Sequence, residues 1–173
     1  MSTPQCFVFI ASSLDGFIAR RDGSFDFLKR VERPGEDYGY QAFFDSVDAM
    51  IIGRGTYDVV KAFDPWPYGK KRCVVMTHQK YASKHDEEFF AGTPHELLQK
   101  LSAEGVKRIY VDGGVVISQF LKAGFIDQLT VSQIPVLLGD GLPLFKDTGE
   151  HSLTLVESKS FPSGLVRSTW RRE

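Results

Sequence analysis

Short runs of β-branched and aromatic residues at positions 6–11, 49–52, 73–76 and 108–111 are separated by stretches with helical spacing. That alternation constrains the chain more than any other feature, because it is the pattern of a mainly parallel sheet covered by helices. The clearest crossover helix opens at Thr93-Pro94-His95-Glu96, a capping box with proline at the first helical position, and Gly105 stops it. Leu97, Leu98 and Leu101 then share one face. A second helix is expected over residues 115–123. It ends at Gly124 and sets Val116, Phe120 and Ala123 on one stripe.

The last third changes pattern. Residues 129–138, 152–156 and 165–170 read as strands with no helix long enough to part them. They are expected to pair antiparallel, with Pro162-Ser163-Gly164 turning the last pair. The expected fold class is therefore α/β: a mixed, mostly parallel central sheet flanked by helices, with an antiparallel C-terminal edge. The charged stretch 23–39, broken by Pro34-Gly35, reads as a surface loop near an opening. With 173 residues and no linker or repeat, one domain over 1–173 is expected.

Composition removes whole classes. Lys plus Arg number 21 against 22 Asp plus Glu, so no basic surplus exists to neutralise phosphates, and no nucleic-acid partner is expected. No apolar run reaches the roughly 18 residues of a spanning helix, so no membrane partner is expected either. The start, MSTPQCFVFIASS, lacks a basic segment and reads as a first strand instead of a signal peptide, which makes a cytoplasmic protein the expectation. Cys6 and Cys73 match no metal or redox spacing and are expected as reduced, buried thiols. His78, His85, His95 and His151 show no ligand spacing, so no metal is expected. Asp45 with Asp48, and Asp86-Glu87-Glu88, read as solvated helix faces.

In open α/β sheets, ligands bind beyond the carboxyl ends of the strands. Three such ends carry unusual residues: Gly53-Arg54-Gly55-Thr56, Thr77-His78, and Asp112-Gly113-Gly114-Val115-Val116. Glycines let a backbone approach a ligand, free N–H groups attract phosphate, and Arg54 offers a bidentate fork. The same residues equally suit tight turns with a solvated arginine. Neither a G-x-G-x-x-G fingerprint nor a P-loop is present.

Five segments in order span nearly the whole chain. They are Ser12-Ser13-Leu14-Asp15-Gly16-Phe17-Ile18-Ala19, Asp48 through Tyr57, Val111-Asp112-Gly113-Gly114, Phe125-Ile126-Asp127-Gln128-Leu129, and Ile134 through Phe145. With them the chain resembles the dihydrofolate-reductase-like superfamily, specifically the reductase domain of riboflavin biosynthesis and its stand-alone relatives. The resemblance implies a three-layer fold and NADPH-dependent reduction of a small pyrimidine-, pterin- or folate-like substrate. For the riboflavin enzymes that substrate is 5-amino-6-(5-phosphoribosylamino)uracil.

The resemblance also implies a site. NADPH would lie across Gly53, Arg54 and Thr56 and past Thr77 and His78, its pyrophosphate beside Gly113, Gly114, Val115 and Val116. Ala11 and Ile18 would flank the nicotinamide, with Asp15, Phe43 and Phe44 on the substrate side. A cis Gly113–Gly114 peptide, a homodimer paired through the apolar segment 129–145, and a preference for NADPH over NADH through Arg54 are further expectations. The proton donor is not identified. Two departures stand out: Phe17 replaces the family's lysine, and Gln128 replaces its glutamate. A true dihydrofolate reductase and a non-catalytic nucleotide-binding or assembly protein remain as alternatives.

Overall fold

The computed structural model describes residues 2–173. In chain order the elements are β1 (Gln5–Ser13), β2 (Phe17–Ala19), a 3-10 turn (Asp26–Val31), α1 (Tyr40–Asp45), β3 (Ala49–Gly53), α2 (Arg54–Val60), β4 (Arg72–Met76) and β5 (Glu88–Phe90). They continue with α3 (Pro94–Ala103), β6 (Arg108–Asp112), α4 (Gly114–Lys122), β7 (Ile126–Ile134), β8 (Leu142–Pro143), β9 (Leu153–Ser160) and β10 (Val166–Arg172). Eight strands form one sheet in the order β5-β4-β3-β6-β1-β7-β10-β9, while β2 and β8 pair separately. The six strands from β5 to β7 are parallel, and β10 and β9 add the antiparallel edge.

The sheet's two faces follow from the period of two along each strand. Cys6, Val8, Ile51, Val74 and Ile109 pack on one face with Leu97, Leu101, Ile117 and Phe120 of α3 and α4. Phe7, Met50, Ile52, Val75 and Tyr110 point the other way, against Tyr57 and Val60 of α2 and Phe43 and Phe44 of α1. All five residues of β3 are buried because both faces are covered. The result is the expected three-layer α/β fold.

The capping box forms as the sequence predicts. Thr93 Oγ1 accepts from the Glu96 N–H at 3.2 Å, and the Thr93 N–H donates to Glu96 Oε2 at 2.7 Å. Thr93→Ala leaves the Glu96 N–H of the first turn without its acceptor and should lower stability by about 1 kcal/mol in a urea titration. An unchanged midpoint would mean that α3 is held by its apolar face alone.

Several boundaries differ from expectation. β7 ends at Ile134 because Pro135 cannot donate to the ladder. Ala123 is the exposed C-cap of α4, not part of its buried stripe. Asp86-Glu87-Glu88 is not a solvated helix face. Glu87 is 3% exposed and accepts from the Tyr57 hydroxyl at 2.6 Å and the His85 N–H at 2.7 Å. Glu88 opens β5. Asp48 also lies outside any helix; one of its oxygens accepts from the N–H groups of Lys107 and Arg108, both at 2.9 Å, which ties the start of β3 to β6. Cys6 and Cys73 are buried free thiols. No helix among the described residues is long and apolar enough to cross a membrane.

Candidate functional site

The carboxyl ends of β3, β4 and β6 open onto a groove of about 920 Å³. It is lined by Gly53, Arg54, Gly55 and Thr56 after β3, by Thr77 and His78 after β4, and by Gly113, Gly114, Val115 and Val116 after β6. Glycine is required where these turns touch. A Cβ at Gly53 would stand 2.9 Å from Val116 Cγ2, and one at Gly113 2.7 Å from Thr56 Oγ1. Gly113 also has φ 95°, a left-handed conformation open to glycine. Three cations, Arg54, Lys122 and Lys146, line the groove against one carboxylate, Asp147. Backbone N–H groups, the hydroxyls of Thr56, Thr77 and Ser118, and a cationic surplus are the donor set that suits a phosphate-bearing dinucleotide.

A second cavity, about 340 Å³, opens beside the carboxyl ends of β1 and β7. Its floor is Phe9, Ile10 and Ala11 of β1 with Ser132 and Ile134 of β7, and Tyr40 and Tyr110 close one side. Its roof comes from the 23–39 stretch, which is more than a loop: the 3-10 turn buries Phe27 and Val31 against Ile134 and Leu165. Tyr38 fastens that roof, its hydroxyl donating to the Val31 carbonyl and lying 2.7 Å from Ser163 Oγ, while Arg167 donates to the Tyr38 carbonyl at 2.7 Å.

Asp112, the last residue of β6, lines this cavity, while the next residue, Gly113, lines the groove. Burial pushes the Asp112 carboxyl up to about 6, against the opposing pull of the Gly113 N–H at 2.9 Å and the Tyr110 side chain. The titratable groups around it are Tyr40 from α1, Tyr68 from the segment before β4, Cys73 from β4 and Tyr110 from β6. None of them is a cation that would hold the carboxylate charged. Sequence reading passed over Asp112 as the residue before a glycine turn. What marks it is enclosure at the junction of two cavities, which only the folded chain creates.

All the expected cofactor-side residues except Ala11 line the groove, Ile18 included; Ala11 lines the cavity. Within that set, Val115 is exposed and Val116 is buried in the core. Lys122 and Lys146 join the groove from α4 and the segment after β8, a convergence invisible in linear spacing.

The expected substrate-side residues do not reach the cavity. Asp15 accepts from Ser13 Oγ at 2.5 Å and from the N–H groups of Leu138 and Gly139 at 3.1 and 2.7 Å, so its carboxylate clamps two loops together. Phe43 stacks on Phe9 at 4.8 Å and backs the wall from behind, and Phe44 lies beyond it, beneath Lys71.

The Gly113–Gly114 peptide is trans, against the expected cis form; among the described residues the only cis bond is Asp64–Pro65. The positive φ of Gly113 supplies the change of direction instead. Gln128 pairs with Phe7 and Arg171 at the opening turn of β7, remote from both cavities, so its exchange for glutamate does not alter them. The segment 129–145 is not a sheet edge, because β7 is bonded to β1 and β10 on its two sides. The antiparallel edge is β9, which exposes Leu153, Leu155 and Val156.

Comparison with known proteins agrees with this architecture. The family model of the RibD C-terminal domain matches residues 4–167. The chain is 39% identical over 159 residues to the uncharacterized protein YwjB of Bacillus subtilis (strain 168), covering 89% of this chain and 90% of that one. It is 31% identical over 168 residues to the riboflavin biosynthesis protein RibD of Corynebacterium ammoniagenes, covering 87% of this chain but 48% of that protein, about half its length. A solved structure from Shewanella sp. PV-4, ascribed to riboflavin biosynthesis, matches with a TM-score of 0.91 at 34% identity, over 98% of this chain and 99% of that one.

Proposed function

Because the chain belongs to the family of the RibD C-terminal domain, we propose that it is an NADPH-dependent reductase of a small heterocyclic substrate. One observation carries this reading: consecutive residues at the end of β6 line a basic groove and an acidic cavity. A donor held in the first and an acceptor held in the second would touch at Asp112 and Gly113. Gly53, Gly113 and Gly114 would admit the cofactor's phosphates, with Arg54, Thr56, Thr77, Lys122 and Lys146 as their partners. A bound reduced nicotinamide supplies a hydride, which carries both electrons.

The chain itself must add position and a proton. Ala11 on the cavity side and Ile18 on the groove side are apolar and exclude water from the junction. Reduction of a C=N or C=O bond would leave its electron pair on the heteroatom, which then needs a proton. That atom takes its proton from the Asp112 carboxyl, which regains one from solvent. A binding protein without chemistry has no use for a carboxyl raised toward neutral pH at this place.

The test is a titration with NADPH and NADH, followed by nicotinamide fluorescence, in wild type and Arg54→Ala. A charge-assisted bond to the 2′-phosphate contributes about 1.5–3 kcal/mol, so NADPH should bind roughly tenfold to a hundredfold more tightly than NADH. Arg54→Ala should erase most of that ratio. Equal wild-type affinities for the two cofactors would sink the reading of this groove, and an unchanged ratio in the variant would move the role to Lys122 or Lys146.

The same proposal includes a homodimer, through β9 in place of the segment 129–145 that the sequence suggested. An edge strand with three exposed aliphatic side chains pairs readily with a second copy. Light scattering at micromolar concentration should give twice the chain mass of 19.4 kDa. The monomer mass would count against it.

A further inference from the structure

The acidic cavity contains more chemistry than a reductase of a phosphorylated substrate needs, and of the opposite sign. Glu32, Glu36 and Asp37 stand on its roof, Asp112 stands at its base, and no lysine or arginine lines it. The roof carboxylates are not neutralised: among the described residues none of the three is in an ion pair. Asp37 is held charged by the N–H groups of Gln41 and Gly39. A phosphate dianion entering here would meet like charges only.

The floor gives a second, independent indication. Ser132 is 4% exposed, lines the cavity from β7, and its Oγ is the one buried side-chain polar atom among the described residues with no hydrogen-bond partner. Native proteins rarely leave such an atom unpaired, and this one belongs to a residue of the cavity wall. The remaining walls are aromatic and aliphatic, which suits a flat ring.

We propose that the cavity takes a planar nitrogen heterocycle bearing no phosphate, whose amide or amino edge bonds Ser132 Oγ and Asp112. This rests on the reductase reading above and narrows its substrate. It separates the chain from the reduction of 5-amino-6-(5-phosphoribosylamino)uracil. The cations that would be needed for a phosphate ester are in the groove and not in the cavity.

The experiment measures dissociation constants by calorimetry for two matched pairs: 5-amino-6-ribosylaminouracil and its 5′-phosphate, and 6-hydroxymethylpterin and its phosphate ester. The phosphate-free member that binds should do so about tenfold or more tightly than its ester. The double variant Glu32→Lys/Glu36→Gln should narrow that ratio, and Ser132→Ala should weaken the parent about fivefold. Esters that bind as tightly as their parents, or two parents that both fail to bind at millimolar concentration, overturn the proposal. Failure of NADPH to bind, measured separately by nicotinamide fluorescence, overturns the reductase reading instead, so the two failures are told apart.

Discussion

Asp112→Asn is expected to lower kcat by about 10²-fold or more while leaving the NADPH dissociation constant unchanged, since general-acid groups contribute roughly 10²–10⁴. The direction with pH follows from the carboxyl's position. Burial raises it from 3.8 to about 6, and only the protonated form donates. Wild-type kcat/KM should therefore fall about tenfold per pH unit above about 6, and the variant's residual rate should be flat across that range. Stability moves the same way. A carboxyl whose folded pKa lies above its unfolded one contributes most below about 3.8, and that contribution is lost as pH rises to about 6. At pH 7.5 Asp112→Asn should unfold no earlier than wild type, because it removes a buried charge. A variant with the same pH slope as wild type would strip Asp112 of the role.

The second large effect is on stability. Glu87 lies 3% exposed and gathers the Tyr57 hydroxyl, Ser83 Oγ and the N–H groups of Lys84 and His85. Burial pushes its carboxyl up, but the Tyr57 hydroxyl and these N–H groups outweigh it and bring it down to about 2. Glu87→Ala leaves several buried donors unpaired and should cost about 3 kcal/mol or more. For a chain of this length that lowers Tm by about 6–12 °C. Because the folded pKa lies below the ordinary 4.5, the wild-type contribution is complete above about 4.5 and lost as pH falls toward about 2. The stability gap between wild type and Glu87→Ala should accordingly close in acid. A gap that stays constant from pH 7 to 3 would show that Glu87 acts by shape and not by charge.

These two acids mark where sequence reading succeeds and where it stops. The parallel strands and α3 were legible because burial on both faces and a cap both leave local traces: the run Ala49–Gly53 and the Thr93–Glu96 pair. The groove was legible because the close approach of Gly53 to Val116 and of Gly113 to Thr56 leaves a trace in the residue type itself, glycine at a strand end. Glu87 was misread because charge in sequence predicts solvent, and the hydroxyl that buries it is 30 residues away in Tyr57. Asp112 and Ser132 were missed for the same reason. Their chemistry depends on enclosure by α1, β1 and the 23–39 stretch, which no spacing along the chain encodes. Asp15 shows the converse: an acid in a recognisable motif whose oxygens are taken up by Ser13, Leu138 and Gly139.

The acidic cavity has a floor and a roof of different origin, and this sets how proteins of this kind can diverge. The floor belongs to β1 and β7, strands locked into the middle of the sheet, where a change of residue disturbs packing on both faces. The roof is one continuous stretch between β2 and α1, pinned by Phe27, Val31 and the two ends of Tyr38. Glu32, Glu36 and Asp37 lie on it and carry no part of the sheet. Recognition can thus be rewritten over the stretch between β2 and α1 while the groove and Asp112 stay in place, in the way loops on a rigid scaffold acquire new partners. Grafting a basic stretch of equal length between Ala19 and Tyr40 is accordingly the direct route to a version that accepts anionic compounds.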